Sequence, residues 1–110
     1  MRDDEKRETR EAFDELVNMT PSALGDWLDT DASRAAGQHG DGGESTGHAS
    51  GRHILDILRS KRSDLSDEDY QHMRKVVGYI RRHLAQRPSG DVRDSRWRHS
   101  LMNWGHDPLG

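Results

Sequence analysis

The residues of this chain best placed to do chemistry are cations, amides and aromatic rings gathered on one predicted helix. Tyr70, Met73, Val77, Ile80 and Leu84 recur at three- and four-residue steps, with Val76 beside them, which predicts a helix over about 67–86 with that stripe buried. At about 100° per residue, Lys75, Tyr79, Arg82 and Gln86 lie opposite the stripe. Gln71 and His72 extend that face by a turn, and Arg74 and Arg81 border the stripe. No acidic residue occurs between Tyr70 and Arg87. Cations for phosphates, with Gln or Arg for base edges, are what a helix needs to lie in a DNA major groove. A solvated face is the plainer account of a charge run, but the missing carboxylates favour a binding surface. Further on, Arg93, Arg96, Arg98 and His99 surround Trp97, a mixture suited to phosphate contact and stacking. Trp97, Leu101 and Trp104 at i, i+4 and i+7 read more simply as core residues docking the tail.

Other chemistries find no support in the spacing. The chain has seven histidines but neither a His-Glu-x-x-His run nor a facial triad, so no metal site is expected. His48 and His53 fall on different helix faces, and His72 and His83, about three turns apart, lack a third ligand. Asp29, Asp31 and Ser33 imitate the start of a calcium loop, but Arg34 and Gly40 stand where that loop needs Gly and Glu. The Gly47–Arg52 stretch lacks the Lys-Ser/Thr of a phosphate loop. Ser100 beside His99 points about 100° away from it on a helix, and no nucleophile has an oriented base. Neither an enzyme nor a bound cofactor is therefore expected. With no cysteine, disulfides and thiolate metal sites are excluded.

The elements that must position the cationic helix are also helices. A first helix is predicted over about 3–19, with Ala12, Phe13, Leu16 and Val17 as its only apolar stripe and a charged, fraying start. Thr20-Pro21 opens a second, carrying Leu24, Trp27 and Leu28 and ending near Asp31 or soon after. Six glycines between 37 and 51 predict a flexible central loop. A third helix then starts between His48 and Ser50 and runs to about Arg62 on Ile54, Leu55, Ile57 and Leu58. Ser66 and Asp69 resemble a capping box at the start of the long helix, and Pro88 and Gly90 stop it. A last helix covers about 94–103, with Gly105 as its C′ residue. No strand signal occurs. The expectation is an all-α domain of about five helices with a glycine-rich central loop and a charged N-terminal segment. Its two longest helices are placed in the C-terminal half and packed through Tyr70, Met73, Val77, Ile80, Ile54 and Leu58.

Composition sets the limits of this core. Leu, Ile, Val and Phe together number 17 in 110 residues, a thin supply, although the net charge of −3 is too small to force the chain into a coil. The balance is uneven along the chain. Residues 1–47 hold 5 Arg/Lys against 12 Asp/Glu, and residues 48–110 hold 12 against 8. The chain accordingly divides into an acidic helical segment (1–36), a glycine-rich loop (37–47) and a basic helical core with a Trp-containing tail (48–110). No apolar run approaches the roughly 18 residues that span a bilayer. The charged stretch Met1–Glu15 has no signal-peptide core, so a soluble cytoplasmic protein is expected.

The stretches Glu44–His48 with Ser50-Gly51-Arg52, then Tyr70–Val77, Arg82–Pro88, Arg96-Trp97-Arg98 and Ser100–Leu109, resemble those of a known family, domain of unknown function 3140. Thr20-Pro21 and Trp27-Leu28 fit the family's front part, and the segment 37–43 departs from it. Members are short proteins often labelled DNA-binding, so the resemblance implies a nucleic-acid partner. The lead expectation is a non-enzymatic helical DNA-binding protein of low sequence selectivity. Lys75, Arg82, Arg81, Arg74, Arg93, Arg96 and Arg98 would meet phosphates, and Gln71, Tyr79 and Gln86 bases or sugars. The alternative is a helical adaptor, self-associating or not, whose basic face meets an acidic protein. In either case the acidic first helix could cover the basic face, and removing residues 1–19 would then tighten DNA binding.

Overall fold

Among the described residues, every α-helix but the first begins where a Ser or Thr side chain accepts a backbone hydrogen bond. The computed structural model describes residues 1–36 and 45–110, and in them lie six α-helices and no strand. They are α1 (Asp3–Leu16), α2 (Pro21–Leu28), α3 (Asp31–Ala36), α4 (Thr46–Arg59), α5 (Asp67–Leu84) and α6 (Arg96–Asn103), with a 3₁₀ turn at Arg62–Asp64. Residues 37–43, where four of the six loop glycines fall, lie outside the described residues, as do Glu44 and His39.

The expected capping box is present at α5: Asp69 N–H donates to Ser66 Oγ, and Ser66 N–H donates to the Asp69 carboxylate. Thr20 caps α2 with Pro21 behind it. The expected helix running to about Asp31 is instead two helices. Thr30 divides them, because its hydroxyl donates to Trp27 O at 2.7 Å and accepts from Ser33 N–H at 3.1 Å. One side chain thus stops α2 and starts α3. The predicted loop also ends sooner than its glycines imply. Ser45 caps α4, so Thr46, Gly47 and Gly51 are helical. A Cβ on Gly51 would lie 2.6 Å from both Asn103 O and Leu28 Cδ2, and only glycine lets α2, α4 and α6 approach this closely.

The helices stack as pairs, α1 on α5, α2 on α4 and α3 on α6, with α6 also touching α2, α4 and α5. This corrects the expected α4–α5 packing, and α1, at 14 residues, equals α4 in length. The residues named for that interface do share one core with Phe13, Leu24, Val76 and Leu101, but α4 and α5 are not a closely packed pair and meet through side chains such as His53 and His72. The reason lies in α1. Phe13 is 1% exposed, while Lys6 pairs with Asp67 at 3.2 Å and Arg10 donates to Tyr70 Oη at 3.0 Å. The charged start of α1 is therefore docked along α5 instead of standing apart as an arm.

The tail locks this arrangement. Gly105 has φ +83°, with its N–H bonded to Met102 O and that of His106 bonded to Leu101 O, the Schellman pattern expected of a C′ glycine. His106 Nδ1 then donates to Leu16 O, capping the C-terminus of α1. Asp107 exchanges two hydrogen bonds with Asn18.

Candidate nucleic-acid interface

The side chains of α5 divide three ways. Tyr70, Met73, Val76, Val77 and Ile80 are buried. Gln71, Arg74, Lys75, Arg81 and Arg82 are exposed along one face, and Gln86 continues it just beyond the helix. His72, Tyr79 and His83 occupy the flank between these two. On the exposed face, none of the four cations has a carboxylate within ion-pair distance among the described residues. Gly78 lies at the middle of the face, where an added Cβ would meet only the Arg82 guanidinium. Helix α1 leaves this face open. It covers the apolar side of α5, reaching the exposed face only where Met1 and Glu5 border a shallow hollow with Gln71, Arg74 and Lys75. With Phe13 and Val17 in the core, removing residues 1–19 would open the fold and could not report on masking.

The arginines around the tail are placed differently from those of α5. Arg93 is held by Asp91 through three side-chain hydrogen bonds to its carboxylate, the shortest 2.7 Å. Arg98 makes a two-point pair with Asp107 at 3.0 Å for each bond, and also donates to Arg93 O. These arrangements hold the Asp91 and Asp107 carboxyls below their usual range through the arginine hydrogen bonds. Both arginines fix the tail, and their charges are largely compensated within the chain. Arg96 is exposed at the start of α6. Trp97 is a core residue whose indole N–H donates to His83 O at 2.6 Å.

Tyr79 is half-buried and stacked, not presented to solvent on the cationic face. Its ring lies 4.1 Å from that of Trp104 at 13°, and 5.1 Å from His83 at 22°. His83 continues to Trp97 at 6.5 Å, and Trp104 to His72 at 6.2 Å. His72 in turn stacks on His53 at 4.2 Å. Arg87 closes the Trp97 end, its guanidinium 5.4 Å from the ring centre. This run of near-parallel rings was not foreseen. On α5 its signal is present, since His72, Tyr79 and His83 fall seven and four residues apart on one line. The rings opposite come from α4 and the tail, and only the tertiary docking brings them into register. Beside the stack, Tyr79, His83, Gln86, Arg96, Trp97, Ser100 and neighbouring residues line a groove of about 450 Å³.

The histidines do not assemble a catalytic relay. Ser50 Oγ and His72 Nε2 are 2.9 Å apart, but Asp69 bonds to His53 at 2.8 Å and not to His72. Ser50 is also buried. Among the described residues no three His, Asp or Glu side chains converge as a metal site would require. Burial, followed by the charges of His53 and Lys75, lowers His72 to a pKa of about 4, and burial lowers His83 as well. A lowered base stays neutral in the fold while the unfolded chain takes up the proton, so stability falls as pH drops from 6.5 to about 4. Asp69, lowered mainly by its bond to His53, and Asp107 add losses only below the ordinary carboxylate range. Urea midpoints measured across the upper interval are expected to decline, and His72→Gln to flatten that decline. A wild-type midpoint constant over that interval would contradict the buried, neutral assignment.

What fold and surface define together is a small all-α protein with a bare cationic helix face flanked by a ring-lined groove. A family model described as "Protein of unknown function (DUF3140)" matches residues 12–102, and the chain belongs to that family. No curated protein and no solved structure matches it. No described helix is long and apolar enough to cross a membrane.

Proposed function

We propose that this is a non-enzymatic DNA-binding protein of low sequence selectivity that holds phosphates on the exposed face of α5. The supporting observation is the contrast in charge pairing. Lys6, Arg62, Arg93 and Arg98 each have a carboxylate partner, whereas Arg74, Lys75, Arg81 and Arg82 have none among the described residues and line one helix. Uncompensated cations on a rigid element are the footprint of a polyanion, because their counterions are released when it binds. Gln71 and Gln86 would then reach bases or sugars from the same face. Arg93 and Arg98 contribute less than their positions in the sequence suggest. In this reading the protein works in the cytoplasm.

An adaptor role, with the same face meeting an acidic protein or the acidic residues of a second copy, is favoured by the exposed carboxylates of the first turn of α1. Competition separates the two readings. Labelled DNA bound to the full chain is expected to be displaced by unlabelled DNA and to resist polyglutamate. Displacement by polyglutamate at equal charge would favour the acidic protein partner.

A further inference from the structure

The groove beside α5 has the features of a site for a planar ring. Its floor is the parallel pair Tyr79 and Trp104, with His83 and Trp97 continuing the stack. Its volume of about 450 Å³ lies within the ~300–1,000 Å³ typical of small-molecule sites. His83 lines the groove, and its Nε2 is buried without a hydrogen-bond partner among the described residues. Buried polar atoms are almost always satisfied, so this orphan marks the packing beside the groove as unusual. Gln86 is exposed, lines the same groove and also belongs to the cationic face, so the two surfaces are continuous. Arg82 beside Tyr79 and Arg87 over Trp97 place a cation near each end of this stretch.

We infer that the groove receives one unpaired nucleobase, so that the protein prefers single-stranded nucleic acid to intact duplex. The inference rests on the reading of α5 as a phosphate-binding face and specifies its ligand. The base lies against the exposed edge of the Tyr79–Trp104 stack, and its polar edge meets the Gln86 amide. The flanking phosphates lie on Arg82 and Arg87. A duplex keeps its bases stacked inside and offers the groove nothing, while an unpaired base can set its face against the ring edges.

Trp97 and Trp104 line the groove, so the test is a tryptophan-fluorescence titration of the full chain. The probes are an oligothymidylate, an abasic strand of the same length and a blunt hairpin duplex. The oligothymidylate is expected to bind roughly tenfold or more tighter than either control and to quench the emission. Tyr79→Leu should bring it to the abasic level. Gln86→Ala, a surface change that leaves the rings in place, should weaken the oligothymidylate more than either control. Equal binding of base-bearing and abasic strands without quenching would overturn the inference and leave the phosphate face standing. Failure of every strand to bind at low salt would overturn both.

Discussion

Replacing Lys75 and Arg82 together by glutamate is expected to weaken nucleic-acid binding on the order of 100-fold while leaving helicity unchanged. Both side chains are exposed, stand two turns apart on α5 and have no carboxylate partner among the described residues, so the fold loses nothing when they are reversed. The binding face loses two phosphate contacts and gains two repulsions. Each lost contact removes about one unit from the salt slope, so the double variant should bind on the order of 100-fold more weakly with a slope shallower by about 2. Circular dichroism beside anisotropy separates loss of binding from loss of fold. Unchanged affinity in a folded double variant would remove α5 from the interface.

The largest expected effect on stability comes from an uncharged residue. Asn103 is 1% exposed, and its carboxamide is almost fully engaged. Its Oδ1 accepts from Trp27 Nε1 at 2.8 Å and from Ser33 Oγ at 2.5 Å, and its Nδ2 donates to Ser33 O at 2.9 Å. The amide thus ties α2 and α3 to the end of α6. Asn103→Leu has similar volume but leaves an indole N–H, a hydroxyl and a carbonyl without this partner. At about 1–3 kcal/mol for each buried unsatisfied group, and less for the partly exposed Trp27 indole, the loss should be on the order of 3–6 kcal/mol. That is a large part of the roughly 5–15 kcal/mol that holds a domain folded. Urea denaturation measures it directly, and a loss below about 1 kcal/mol would show that the amide is not the tie described.

Asn103 also shows why some features were legible in the sequence and others were not. Its neighbours in the closing segment, Trp104-Gly105-His106-Asp107, belong to the stretch that most specifically carries the family resemblance, and a binding role was a natural reading of the arginines beside them. In the fold this segment is largely architecture. Gly105 turns the chain, His106 caps α1, and Asp107 holds Arg98 and Asn18. Pairing between Arg98 and Asp107, nine residues apart, depends on a turn whose course follows from tertiary docking. Local signals fared better. The capping box at Ser66, the Thr20-Pro21 start, the apolar stripe of α5 and the C′ glycine each depend on spacings of about one helical turn or less, and each is present.

Docking partners were harder to read. The apolar stripe of α1 is short, so nothing in its spacing marks it as the helix that covers α5. The pairs Lys6–Asp67 and Arg10–Tyr70 that fix it join residues about 60 apart. For the candidate site, helix geometry alone brought Gln71, Lys75, Arg82 and Gln86 to one face. It also assigned Tyr79 to that face, but the ring turns to the flank because Trp104 supplies a stacking surface there. Arg74 and Arg81, expected at the border of the core stripe, are exposed beside the others.

The central claim is that the bare cations of α5 hold a nucleic-acid backbone. The most direct measurement is the anisotropy of a labelled DNA strand titrated with the protein as salt is raised from low to physiological levels. Arg74, Lys75, Arg81 and Arg82, with the groove-edge cations, should release several counterions, giving a log–log slope of about −3 to −6. Absence of binding even at low salt, where such contacts are strongest, would contradict the account and leave the face to a protein partner.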